Sequence, residues 1–185
     1  MSDHRERMVR GERYRCDDPQ LTADRQAAEH MAARFNATAP ADAPGSRELL
    51  RELLGEVAEG AYVKAPFTCA YGYNIRIGAR SFINYDAILL DCGPITIGEE
   101  VAIGPRVQLA TAIHPLDPAD RRAGWETTAP ITIRDGAWLG AGVIVCPGVT
   151  IGENTVVGAG SVVTRDLPDR VVAVGNPCRM LREIP

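Results

Sequence analysis

The chain has 185 residues, a length that suits one domain with a small extension. Its 45% hydrophobic content is ordinary for a globular protein, and an aromatic content of only 5% points to a core of Ile, Val, Leu and Ala. A net charge of −4 offers no nucleic-acid footprint, no apolar run approaches the about 20 residues of a membrane span, and the polar N-terminus carries no secretory signal.

Residues 1–60 are predicted to be a helical segment. Asp3 is placed to cap a first short helix, with Glu6 in its third position and Gly11 at its end. Asp17 or Asp18 caps a second helix that has Pro19 in its first turn. Leu21, Ala28, Met31, Ala32 and Phe35 share one face of it. Asn36 to Gly45 reads as a loop, and Ser46 caps a third helix through Leu49, Leu50, Leu53 and Leu54 that ends near Gly55.

From Ala61 a different period takes over, and residues 61–185 are predicted to form one mostly β domain. An aliphatic residue returns every sixth position: Ile77, Ile83, Leu89; Ile97, Ile103, Leu109; Ile133, Leu139, Val145, Ile151, Val157, Val163. A second series precedes it by two, from Ile75, Ser81 and Ala87 through Val149, Thr155 and Ser161. A period of six fits neither a helix nor a simple amphipathic strand; it fits a solenoid of short strands with a corner after each. Glycine often follows the aliphatic position, as at Gly78, Gly98 and Gly140, and is read as supplying positive φ at the corner. The helical segment at one end and an irregular tail over 164–185 at the other protect the stack from edge-to-edge pairing.

The repeat breaks twice. The step from Leu89 to Ile97 is eight residues and holds Asp91-Cys92-Gly93-Pro94, a two-residue bulge at a corner. The step from Leu109 to Ile133 is twenty-four, and residues 110–130 read as a loop thrown out of the solenoid. Loops of that length in a compact fold are usually functional or disordered.

The chain has three histidines. His4 lies near the terminus and His30 on a predicted helix. His114 sits in the excursion loop, where it is either a general base or a solvated loop histidine. Glu126, in the same loop, is either solvated or accepts a hydrogen bond from the second ring nitrogen of His114 and fixes its tautomer. Asn84 and Asp91 are read as outward corner residues that bind a sugar hydroxyl or cap their own corners. Trp138 alternates outward, towards a subunit interface or a ligand. Five cysteines, an odd number without a C-x-x-C pair, read as reduced thiols in a cytosolic protein. A zinc site would need about three histidines, and the repeats offer one, so no metal is expected.

These residues resemble the hexapeptide-repeat O-acetyltransferases, and within them the maltose and galactoside acetyltransferases. The matching stretches are Tyr71-Gly72-Tyr73-Asn74-Ile75, Ile97-Gly98 to Ile103-Gly104-Pro105, and Thr111-Ala112-Ile113-His114-Pro115-Leu116. Further matches are Pro130-Ile131-Thr132-Ile133, Trp138-Leu139-Gly140, Pro147 to Gly152, Val157 to Thr164, and Gly175-Asn176-Pro177. Glu6 to Tyr14, with Asp17 and Leu21, is similar to the N-terminal segment of that subfamily. The resemblance implies a left-handed parallel β-helix, a homotrimer with active sites between subunits, and acetyl-CoA as donor. It implies that His114 takes the proton of an acceptor hydroxyl that attacks the thioester directly, with Asn84 near the reacting groups. It places Asp17, with Asn84 and Asp91, at the acceptor. It places Trp138, Ala141, Ala159, Thr164, Arg165, Arg179 and Arg182 along coenzyme A. Two acceptor positions depart from the galactoside pattern: Ala70 stands where those enzymes have serine, and Cys92 where they have a second aspartate. A smaller or less polar alcohol, an antibiotic acceptor, or a solenoid scaffold without chemistry are the alternatives to a sugar acetyltransferase.

Overall fold

The computed structural model describes residues 3–38 and 44–185. The repeats wind as parallel coils with three faces, taken here in winding order. The first face stacks Glu56–Val57, Ile75–Ile77, Ile95–Ile97, Ile131–Ile133 and Thr150–Ile151. The second stacks Tyr62–Val63, Phe82–Ile83, Ala102–Ile103, Trp138–Leu139, Val156–Val157 and Val171–Val174. The third stacks Phe67–Cys69, Ala87–Leu90, Gln108–Ala110, Ile144–Val145 and Val162–Val163. Both hexapeptide series point inward and are buried, from Ile75 and Ile77 to Ser161 and Val163. The result is the mostly β solenoid with an N-terminal helical segment that the period predicts. It starts slightly earlier than Ala61, because Glu56–Val57 already pairs with Arg76–Ile77.

The corners work differently from the sequence reading. The glycines that follow the aliphatic series do not carry the positive φ. They are needed because the next coil lies against them: a Cβ on Gly104 would meet the Ala141 nitrogen at 2.8 Å, and one on Gly140 the Ala159 nitrogen at 2.6 Å. Left-handed backbone falls two residues later, at Arg80, Asp86, Glu100, Arg106 and Asn154, with glycine there at Gly142 and Gly160. Coil-to-coil bonds on both sides, such as Gly142 N–H to Pro105 O and Gly160 N–H to Ala141 O, both 2.8 Å, hold that corner shape.

Helices α1 (His4–Val9), α2 (Pro19–Thr38) and α3 (Pro44–Leu53) precede the coils. Asp18 caps α2, its carboxylate accepting from Gln20 N (3.0 Å) and Leu21 N (3.3 Å). Asp3 does not cap α1 through its side chain, which instead pairs with Arg7 at 2.6 Å. Nor is Asn36 a loop residue. The α2 helix runs through it because its amide grips an edge strand, accepting from Phe67 N and donating to Phe67 O, both at 2.9 Å. That grip satisfies backbone groups an open third face would expose. The rest of the predicted loop lies partly outside the described residues, and Ser46 sits inside α3 rather than at its cap. Leu49, Leu50, Leu53 and Leu54 join Ala28, Ala32 and Phe35 in the core cluster of the coils, closing that end. The 164–185 tail is not irregular: Arg179–Glu183 folds back antiparallel on Val171–Val174 and closes the second face.

Candidate active site

The stretch predicted as an excursion loop is an ordered hairpin. Ala112–Ile113 pairs antiparallel with Thr127–Thr128, and Glu126 and Trp125 pair in turn with Tyr14 and Arg15. The N-terminal segment is therefore the third strand of this small sheet. Thr111 anchors the exit from the coil, donating to Leu90 O (2.7 Å) and accepting from Gly93 N (2.8 Å). Between the strands lies α4 (Pro118–Arg122), capped by Asp117 through Ala119 N at 2.6 Å with proline in its first turn. Arg121 donates to Pro115 O (2.8 Å) and Leu116 O (2.9 Å), which fixes the turn just after His114.

This hairpin brings His114 and Glu126 together, with Nδ1 at 3.6 Å from Oε1. His114 is 63% exposed and Glu126 only 12%. The other carboxylate oxygen accepts a 2.6 Å hydrogen bond from the Tyr14 hydroxyl, which is wholly buried. Nδ1 faces the carboxylate, so Nε2 is the ring nitrogen left for an incoming hydroxyl. The other two histidines are engaged elsewhere: His4 Nδ1 accepts from Arg15 N (3.2 Å), and His30 Nδ1 lies 2.7 Å from Gln26 O. Thus His4 is docked rather than frayed, with its ring edge-on to Trp125.

Asp91 is not an outward corner residue. It is fully buried, and its carboxylate accepts from Ala70 N (2.9 Å), Tyr71 N (2.8 Å) and Asn74 N (3.3 Å). Burial pushes its carboxyl up to about 6, against the pull of those backbone donors. The bulge thus turns Asp91 inward to hold the preceding coil, and its oxygens are already occupied. Ala70 and Cys92 sit half-buried beside Cys16 and Tyr73, packed on Met8, Tyr14, Leu21 and Tyr71. Burial, then the charge of Glu126, pushes the Cys92 thiol up to about 11, so it is protonated at neutral pH. Asp17 is exposed and held in a forked pair by Arg15 at 3.0 and 2.8 Å, which keeps its carboxyl below the usual range.

Asn84 and His114 leave the coils from different faces. Asn84 follows a second-face strand, whereas His114 lies beyond a third-face strand. The Asn84 Oδ1 accepts from Tyr85 N at 2.8 Å. Trp138 is 55% exposed on the second face. Ala141 and Ala159 stack on the corner that follows it, with Gly142 and Gly160 open to solvent on the same row. Thr164 and Arg165 lie on the next corner, and Arg179 and Arg182 on the closing hairpin, all exposed. Two residues bonded into the cluster beside Ala70 and Cys92 are not singled out by the sequence. They are Tyr14, and Arg25, whose guanidinium donates to Cys16 O (2.9 Å) and the Tyr71 hydroxyl (3.1 Å).

Among the described residues, no helix is long and apolar enough to cross a membrane, and no three His, Cys, Asp or Glu side chains are grouped as a metal site.

The maltose acetyltransferase hexapeptide capping motif matches residues 7–58, and the bacterial transferase hexapeptide (six repeats) matches residues 130–165. A galactoside O-acetyltransferase of Lactococcus lactis is 39% identical over 94% of this chain and 84% of its own. The crystal structure of a maltose O-acetyltransferase from Clostridium difficile superposes with a TM-score of 0.96 at 43% identity, covering 98% of this chain and 97% of that one. A hexapeptide-repeat acetyltransferase from Vibrio cholerae complexed with acetyl coenzyme A superposes with a TM-score of 0.91 at 39% identity, covering both chains in full.

Proposed function

The chain belongs to the hexapeptide-repeat acetyltransferases of the maltose and galactoside O-acetyltransferase type, and from that membership we propose that His114 is its general base and a sugar or similar small hydroxylated molecule its acceptor. The protein is an acetyl-CoA-dependent acetyltransferase, so the scaffold alternative is set aside. The observation that carries the reading is the His114–Glu126 pair on an ordered, anchored hairpin.

In the proposed step, His114 Nε2 takes the acceptor's hydroxyl proton as its oxygen attacks the thioester carbonyl carbon. The imidazolium, facing Glu126, returns that proton to the departing thiolate sulfur. No acyl-enzyme is needed, and much of the rate comes from holding both substrates together. Exposed Trp138 and the open row Ala141, Gly142, Ala159 and Gly160 suit a pantetheine arm, because no atom lies within 4 Å of where a Cβ on either glycine would sit. Thr164, Arg165, Arg179 and Arg182 would serve the rest of the coenzyme, arginine through forked bonds to phosphate. Asp17, on the segment paired with Trp125, would bind an acceptor hydroxyl. A cytoplasmic location suits the five free cysteines.

Thiol release from acetyl-CoA across a panel of sugars and small alcohols tests the reading. Acceptor-dependent release with at least one sugar is expected, and none with any hydroxyl compound would overturn it. A second acceptor class, a less polar alcohol such as an antibiotic hydroxyl, has one observation in its favour. Ala70 and Cys92 line the cluster beside Glu126 with side chains that present no charge at neutral pH.

The placement of Asn84 and His114 after strands of different faces supports a homotrimer whose sites form between neighbours. Mixed refolding of His114→Ala and Asn84→Ala chains should then recover activity that neither has alone, since equal random mixing restores about a quarter of such interfaces. Mixtures no more active than the separate variants would place the whole site in one chain.

A further inference from the structure

We infer that Tyr14 is a positioning residue for the general base, acting through Glu126, so that the N-terminal segment is part of the catalytic apparatus and not only a cap on the coils. The inference rests on the reading of His114 as base. Three observations carry it. The Tyr14 hydroxyl donates to Glu126 Oε2 at 2.6 Å while Oε1 faces His114 Nδ1 at 3.6 Å, so one carboxylate is shared between a fixed donor and a movable ring. Tyr14 is fully buried and paired in strand register with Glu126, which leaves its phenol no freedom to point elsewhere. Its segment is pinned on both sides, by Thr128 Oγ1 donating to Met8 O (2.7 Å) and by Cys16 N donating to Gly124 O (2.9 Å).

A glutamate at the end of two free methylenes does not orient a histidine by itself. Many rotamers of Glu126 would turn its carboxylate away from the ring, and holding one of them costs side-chain entropy. The phenol removes that freedom by fixing Oε2, which leaves Oε1 aimed at Nδ1. The groups facing this carboxylate are His114, Tyr14, Cys16, Cys92 and Tyr71. Burial, then Cys92 and the bond to Glu126, pushes the Tyr14 hydroxyl well above its ordinary range, so it stays a donor wherever the enzyme is folded. Cys92 and Cys16 are likewise pushed up by burial and stay neutral at pH 7. Glu126 is therefore the one acidic side chain in this group available to face the imidazolium.

The test is a double-mutant cycle of Tyr14→Phe and Glu126→Gln, read by kcat and by KM. Tyr14→Phe keeps the ring and its packing. It should lower kcat about tenfold, the order lost when a group that orients a histidine is removed, with the KM for acetyl-CoA unchanged. The loss should fall on kcat and leave the acceptor KM in place, the split expected when a group acts only on the reacting histidine. Glu126→Gln should do the same, and the double variant should be no worse than the poorer single one. Additive losses, or a raised KM with a lowered melting temperature, would show that Tyr14 is only structural. If His114→Ala keeps full activity, the underlying base assignment fails instead, and the two failures are distinguished by that control.

Discussion

Replacing His114 with alanine is expected to lower kcat by about 10²–10⁴-fold, the usual share of a positioned general base. Acetyl-CoA should bind the variant with an unchanged dissociation constant, because the proposed coenzyme contacts lie along the Trp138 row and His114 meets only the reacting thioester. The fold should survive. The side chain is 63% exposed, it meets Glu126 at 3.6 Å, and the surrounding turn is held by Asp117 and Arg121 without it. The other two histidines are engaged elsewhere: His4 Nδ1 accepts from Arg15 N at 3.2 Å, and His30 Nδ1 lies 2.7 Å from Gln26 O. The residual rate would measure what proximity and polarisation of the thioester supply alone. Thiol release with the best acceptor, under single-turnover conditions, reads the chemical step directly. A variant within twofold of the parent would sink the base assignment, and one that no longer binds coenzyme A would show a wider structural defect.

The same contrast between regular and irregular chain explains how far the sequence could be read. Ile77, Leu89 and Val145 announce their burial because a fixed period of six leaves one inward face, and each coil repeats the demand of the last. His114 and Glu126 stood out for the opposite reason, as chemistry-bearing residues in the stretch that abandons the period. Tyr14 could not be found that way. It lies in a short polar stretch, Arg13-Tyr14-Arg15, and its role comes from antiparallel pairing with a strand more than a hundred residues on. Asn36 was misread as loop for a related reason: the Phe67 edge it satisfies is a tertiary fact that overrides its weak helix propensity. At the corners, glycine marked the right places with the wrong cause. The period shows where the chain turns, but only the stacked neighbour shows that Gly104 and Gly140 are small to let the next coil approach.

Asp91 is where misreading the direction of a side chain changes the most, and its replacement should have the largest effect on stability. Counting residues locates the two-residue insertion after Leu89 without saying which way it points. In the structure it points in, and three backbone N–H groups of the preceding coil converge on the carboxylate. Asp91→Ala leaves those donors without that partner, the Tyr71 N–H buried and the Ala70 and Asn74 N–H partly so. At about 1–3 kcal/mol for each unpaired buried donor, the loss should be roughly 3 kcal/mol or more. For a chain of this size that lowers the melting temperature by about 6–12 °C. Asp91→Asn is the sharper probe. Its carbonyl oxygen can keep Ala70 and Tyr71, but its amide sets an N–H against that of Asn74, so an intermediate loss is expected. The pH dependence separates charge from shape. With its carboxyl pushed up to about 6, above the ordinary 3.8, Asp91 stabilises the fold most when protonated. Its contribution is complete below about pH 4 and fades as pH rises through 6. Thermal melts of the parent from pH 4 to 7 should show that decline, and Asp91→Asn, which carries no titrating group there, should lack it. Parallel curves would mean that the backbone donors outweigh burial and keep the carboxylate charged throughout. Activity should follow the same residue indirectly. The turn that Asp91 holds carries Ala70 and Tyr71, and Cys92 follows it in the chain. Loosening it should therefore raise the acceptor KM well before it alters the affinity for acetyl-CoA.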